Sequence, residues 1–369
     1  MIYLDHAATT PLPEAVADTM YDVLRHQFGN PSAQYPLGRE AKELVEEARR
    51  TIAGALGCQP SALHFTSCGT ESDNWAIRAA AWQGRHTGRH IITTAVEHSA
   101  VLEPCRQLEQ EGYEVTYLKP DRTGHISAGQ VAEALREDTV LVSVMLVNNE
   151  TGCLFPVADI ARLLKERGSR ALLHCDAVQG FLKVPCAPAG WGVDLMSLSA
   201  HKIGGPKGIG ALYVRPDLRN LRPLLAGGGQ EATAQIAGFA KAVALRQEGL
   251  EEKLAHMARI KAYCRERLLS IPGVVPVGGG EAPHILAVSL VGYPSANVIN
   301  DLGSQGICLS AGSACHRGKA SRGYAALGLD KRTAAGVLRL SFGPETTEGD
   351  IDALYEALLR HKNTRFSML

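Results

Sequence analysis

A lysine, an aspartate, a histidine and a helix-opening Ser/Thr cluster each follow an apolar run, and together they could handle a carbonyl and an anion. Lys202 lies in S-A-H-K-I-G-G-P-K-G-I-G, Ser199 to Gly210, behind the apolar run 193–198. Gly204, Gly205, Gly208 and Gly210 allow close backbone approach and sharp turning. A lysine held there can condense with the aldehyde of a bound cofactor, with Ser199 and His201 beside an anionic group. It can equally be a solvated loop lysine. Asp176 ends the run H-C-D-A-V-Q. It can cap a turn, or keep a pyridine nitrogen protonated, as an electron-sink cofactor requires. Ser67, Cys68, Gly69 and Thr70 open a helical pattern, where unpaired N–H groups and the dipole favour a phosphate. An ordinary cap, with Glu71 adding charge to the first turn, is the alternative. His98 follows Glu97 and can be structural or a ring-stacking base. Asn148-Asn149-Glu150-Thr151-Gly152 is a polar turn.

The elements that must position these groups follow a strand–turn–helix rhythm. Strands are expected at 63–66, 90–94, 113–118, 139–146, 171–175 and 193–198, with helices at 70–82, 98–110, 128–136 and 157–167. Helices at 14–28 and 38–56 precede them. This alternation predicts an α/β fold with a mainly parallel sheet covered on both faces. Ligands in such sheets sit at the carboxyl ends of the strands, and the polar clusters follow those ends, so a single cleft should collect them. A long helix over 239–269, charged on one side, reads as a bridge between domains. Beyond it come strands at 284–290 and 337–341, helices at 295–305 and 351–361, and a glycine-rich loop around Cys315. The expected division is a large domain, 14–250, and a smaller α+β domain, 251–369 together with 1–13.

The bulk composition narrows the class. A chain of 369 residues is too long for one hydrophobic core. Lys plus Arg equals Asp plus Glu at 38 each, so no global field selects nucleic acid or a membrane surface. No apolar run is long enough to span a bilayer, and the first residues lack the pattern of a secretory signal. Nine cysteines, an odd number without regular spacing, read as reduced thiols of a cytoplasmic protein. Neither C-x-x-C nor H-E-x-x-H occurs, so no metal site is expected. A P-loop does not fit either: the stretch Gly312 to Ser321 has the wrong glycine spacing.

A Schiff-base lysine, a pyridine partner, a phosphate-cradling helix start and a stacking imidazole together match pyridoxal 5'-phosphate. Ordered motifs extend the match: Y-L-D-H-A-A-T-T-P at Tyr3 to Pro11, G-N-P-S at Gly29 to Ser32, F-T-S-C-G-T-E-S at Phe65 to Ser72, and E-H-S-A-V at Glu97 to Val101. N-N-E-T-G at Asn148 to Gly152, D-A-V-Q at Asp176 to Gln179, G-S-A-C at Gly312 to Cys315 and R-L-S at Arg339 to Ser341 complete the series. On these residues the chain resembles the cysteine desulfurases, within the class V aminotransferase-like, fold-type I pyridoxal phosphate enzymes.

The resemblance implies a seven-stranded-type sheet in the large domain and a homodimer. It implies that Lys202 binds the cofactor aldehyde and Asp176 its ring nitrogen. Gln179 and Asn149 would hold the ring hydroxyl, and His98 would stack on the ring and move protons. The phosphate would sit on Cys68, Gly69, Thr70, Ser199 and His201. Arg339, with Asn149, would bind the carboxylate of L-cysteine. Cys315 would be the nucleophile, taking the sulfur as a persulfide, releasing L-alanine and passing the sulfur to an acceptor protein for iron–sulfur cluster assembly or thiolation. Charged neighbours His316, Arg317 and Lys319 would favour its thiolate. The chain departs from that pattern at three places. His6 replaces the usual Asn, and the Cys315 loop reads C-H-R-G-K-A-S-R-G-Y. In addition, Gln230 runs almost directly into A-T-A-Q-I-A-G-F where the family carries R-x-G-T; we read this junction as a segment left out of the numbering. Selenocysteine lyase is the alternative activity, followed by a class V aminotransferase and a catalytically silent partner-binding homologue.

Overall fold

The computed structural model describes residues 1–218, 221–225, 227, 230–312 and 322–364. After a short strand β1 (Ile2–Tyr3), seven strands build the central sheet: β2 (Leu63–Thr66), β3 (His90–Thr94), β4 (Glu114–Leu118), β5 (Thr139–Met145), β6 (Leu172–Asp176), β7 (Leu195–Ser199) and β8 (Gly210–Val214). Their order is β2-β8-β7-β6-β5-β3-β4. Strand β8 runs antiparallel to both its neighbours, and the other pairings are parallel. Every residue of β5 and β7 is buried, as strands covered on both faces must be. Alternate side chains feed two cores. Val142 and Met196 pack on one face with Ile52 and Phe239, while Leu141 and Leu195 pack on the other with Ile77 and Val101. The carboxyl ends of β2, β3, β5, β6 and β7 therefore share one edge of the sheet.

A second unit follows, with strands β9 (Val274–Pro276), β10 (Ile285–Leu290), β11 (Ile307–Cys308) and β12 (Val337–Ser341). Strands β9, β10 and β12 form an antiparallel sheet, and β1 pairs in parallel with β11. Its own core joins Val288 and Leu340 to Ile351, Leu354 and Leu358 of the helix Glu348–Thr364. The segment after β1 stitches the units together: Leu4 lies in this second core and Ala7 in the first.

The structure differs from the sequence expectations at two places. The long helix over 239–269 is two helices, Thr233–Gln247 and Leu250–Leu269, because Gly249 takes φ +59° between them. Strand β8 was not expected; its A-L-Y-V run sits at the end of the glycine-rich Lys202 stretch. Just after Gln230, Glu231 pairs with Arg49 at 3.6 Å, and the next helix opens at Thr233.

Candidate active site

All the candidate residues except Cys315 line one cavity of about 220 Å³ at the carboxyl edge of the central sheet. Cys315 lies outside the described residues. Each wall follows from a strand end. Strand β2 leads through Cys68 into the helix Gly69–Gly84, whose start has no side-chain cap. Gly69 is needed there: a Cβ would come within 2.8 Å of Val178 Cγ2 and 3.4 Å of Ser199 Cβ. The helix start therefore lies close against Ser199 at the end of β7, with Thr70 alongside. Unpaired N–H groups, a hydroxyl and an uncapped dipole suit an anion.

Asp176 ends β6 and is buried, with Oδ1 accepting from the Val178 N–H at 2.9 Å. Burial raises its pKa, opposed by that N–H and by nearby His98 and Lys202. Behind it lies Asp73, whose pKa is raised further by burial and by Asp176 itself. Asp73 faces His174 at 3.5 Å, an imidazole that burial pushes down to about 3 and so leaves neutral. Of the two carboxyls, Asp73 is pushed up the more strongly, while Asp176 is eased by the Val178 N–H, His98 and Lys202. A buried carboxylate on a cavity wall is the partner a protonated ring nitrogen needs.

Lys202 follows β7 in a one-turn 3-10 segment. Its ammonium donates to Ala7 O and Ala8 O, both at 2.7 Å. Thr10 braces the same segment: its Oγ1 donates to His201 O at 2.9 Å and accepts from the Gly204 N–H at 2.8 Å. His201 is pushed down to about 4 by burial and by Lys202, so at neutral pH its ring is uncharged. Gln179 donates to Ala7 O at 2.8 Å, and its Oε1 accepts from buried Lys183 at 3.2 Å.

His98 caps the helix Ser99–Gln110; its Nδ1 accepts from the Ala100 N–H at 3.2 Å, which assigns the neutral ring's proton to Nε2. Arg339 on β12 is 2 % exposed. It donates to Asn149 O and to Asp5 Oδ1, each at 2.9 Å, while its Nε has no partner among the described residues. A buried, anchored guanidinium that lines the cavity is suited to a carboxylate. Gly312, just before the undescribed stretch that holds Cys315, lies by Glu150 and Tyr324; a Cβ on it would meet Tyr324 at 3.1 Å and Glu150 at 3.2 Å. The loop thus roots beside Asn149.

The residues present fit pyridoxal 5'-phosphate by the chemistry of their donors: an amine for the aldehyde, a buried acid for the ring nitrogen and an uncapped helix start for the phosphate. Sequence reading missed Asp5, Asp73, Glu97 and the carbonyls of Ala7 and Ala8. Asp73 was readable, one turn after Gly69 on the same helix. Asp5 was not, because its partner lies 334 residues away. Away from the cavity, His125, Cys153 and Glu281 bring ligand atoms within 4.8 Å of one another, a grouping that spacing alone could not show.

Comparison with known proteins agrees with this geometry. The aminotransferase class-V family model matches residues 2–354. The cysteine desulfurase IscS of Vibrio campbellii is 40% identical over 374 residues, 97% of this chain and 91% of that protein. The solved structure of a NifS-like protein superposes with a TM-score of 0.93 at 33% identity, over 99% of this chain and all (100%) of that one. A structure described as SspA in complex with cysteine gives a TM-score of 0.80 at 33% identity, over 94% of this chain and 100% of that chain. Agreement of this extent, in sequence and in backbone, establishes that the chain belongs to the class-V aminotransferase family, among its cysteine desulfurases.

Proposed function

We propose that this chain is a pyridoxal phosphate-dependent cysteine desulfurase that takes the sulfur of L-cysteine onto Cys315 and releases L-alanine. The observation that carries the reading is the convergence of the Lys202 amine, the Asp176 carboxylate and the uncapped Gly69 helix start on one cavity, with the Arg339 fork at its side. When bound, the cofactor supplies an electron sink for the substrate's α-carbon. Lys202 would hold its aldehyde carbon, Asp176 its ring nitrogen, and Gln179 with Asn149 its hydroxyl. Thr70, Ser199 and His201, with the N–H groups at Cys68 and Gly69, would hold its phosphate.

The chain's own groups do the rest. The Arg339 fork orients the substrate carboxylate. The Lys202 amine, positioned by Ala7 O and Ala8 O, would be a base for the α-proton. His98, with its proton on Nε2, can serve the substrate thiol. The Cys315 thiolate attacks the substrate sulfur; the new S–S bond forms as the carbon–sulfur bond breaks, the electron pair left on the β-carbon takes up one proton, and a second proton returned to the α-carbon gives alanine. Support for its reach comes from the loop root at Gly312. Three residues of chain extend about 10 Å at most, which suffices if the root lies beside the site.

Around this chemistry we infer a large domain, 14–250, and a small domain, 251–369 with 1–13, each with a core of its own. We also infer a cytoplasmic homodimer that hands its sulfur to an acceptor protein. No described helix is long and apolar enough to cross a membrane. The test is mass spectrometry of the enzyme after incubation with L-cysteine, alongside an alanine assay. One sulfur atom added at Cys315, lost in Cys315→Ser, and alanine lost in Lys202→Ala are the expected results. Alanine formed at the parent rate by Cys315→Ser would overturn the assignment of the nucleophile.

A further inference from the structure

Lys202 also rims a second cavity, of about 310 Å³, between the central sheet unit and the small unit. Its walls are dominated by basic groups: Lys183, Arg246, His6 and His284, with Lys202 and Lys253 at the edge. His284 is 1 % exposed, and neither of its ring nitrogens has a hydrogen-bond partner among the described residues. Lys183 is buried, and its Nζ donates to the neutral amide oxygen of Gln179 at 3.2 Å. The Arg246 guanidinium makes only long contacts, to Leu182 O at 3.4 Å and to the Met257 sulfur at 3.6 Å, and closes no ion pair among the described residues. Two carboxylates reach this wall, Glu248 and Glu345, and both are exposed. Glu345 serves His6 at 3.3 Å. Burial disfavours the charged forms of Lys183 and His284, and the carboxylate charge acting on Arg246 is that of exposed Glu345; buried donors without full partners are costly, and two orphaned nitrogens on one ring add to that cost. Phe342, Leu245 and Ala242 complete the lining with apolar surface.

We propose that this second cavity is a binding site for a small oxyanion, carboxylate or inorganic, held by His284, Arg246 and Lys183. The site is separate from the fork at Arg339, which lines only the first of the two cavities, and it does not depend on the desulfurase reading. An anion there receives the donors that the fold leaves unpaired and supplies the missing negative charge. The apolar walls leave room for a short carbon body.

Isothermal titration of the cofactor-loaded enzyme with malonate, with sulfate, and with malonamide as the neutral control tests this. One binding event is expected for at least one of the anions and none for malonamide. Affinity is expected to fall at least tenfold in both His284→Leu and Arg246→Leu. His284→Leu removes the orphaned nitrogens, so it should melt no lower than the parent. It therefore carries the test even if Arg246→Leu fails to fold. Binding of malonate but not sulfate identifies an organic acid as the occupant, and the converse identifies an inorganic anion. No binding of either anion at tens of millimolar, or parent-like affinity in His284→Leu, overturns the proposal.

Discussion

Glu97 is buried between β3 and β5, where its Oε1 accepts from the Thr94 hydroxyl at 2.9 Å and the Met145 N–H at 3.0 Å. Burial pushes its pKa up to about 8 from 4.5. The folded chain thus keeps a proton that the unfolded chain releases near pH 4.5. The stability tied to that proton is full at low pH and is lost as pH rises toward 8. Glu97→Gln keeps the acceptor and removes the titration. Relative to the parent, the variant should gain stability between about pH 5 and about pH 8, on the order of 3 kcal/mol, read by denaturant unfolding at both values. At Gly69 the prediction concerns binding. A Cβ 2.8 Å from Val178 forces the helix start away from Ser199, so Gly69→Ala should weaken cofactor retention about tenfold, a loss of ~1.4 kcal/mol. A titration of absorbance against added cofactor reads it. At this scale the sequence was informative where chemistry and a turn coincide, as at Lys202 and Asp176. It was silent where a group acts through a backbone carbonyl: nothing in A-A-T-T announces that Ala7 and Ala8 hold an amine 195 and 194 residues away.

At the level of elements, alternation of apolar runs with helical spacing was enough to find the parallel strands, because strands buried on both faces must be apolar throughout. The reversed strand β8 was hidden by its neighbours: Gly208 and Gly210 dominate the reading of that stretch, and an antiparallel return needs no crossover helix to announce it. The split at Gly249, where φ +59° ends one helix and begins another, was missed because the helical and charge pattern continues across it. Gly249→Ala places a Cβ in the left-handed region and should cost about 1 kcal/mol. A fall in the midpoint of urea unfolding with an unchanged slope would record it.

For the molecule as a whole, the outstanding surface feature is on the helix Glu14–His26 and just beyond it. Tyr21, Leu24 and Phe28 are 59%, 63% and 71% exposed; Tyr21 and Leu24 share one face of the helix, and Phe28 follows its end. Side chains of this size seldom cluster in water without a partner, and in the homodimer proposed above they would meet a second copy. Leu24→Glu with Phe28→Glu should halve the mass seen by light scattering without lowering the melting temperature of the separated chain; a parent-like mass would place the contact elsewhere. The two units of one chain are joined more intimately than a linker would allow. Strand β12 supplies Arg339 to Asp5, Ser341 N–H donates to Leu4 O at 2.8 Å, and the Ser341 hydroxyl accepts from the Ala7 N–H at 2.8 Å. That stitch has a consequence for synthesis. Residues 4–8 leave the ribosome early, yet their binding groove is completed only when translation has passed residue 341. A nascent chain can therefore assemble the central sheet long before it can seat its amine, and premature capture of the vitamin is discouraged by the order in which the polypeptide is made.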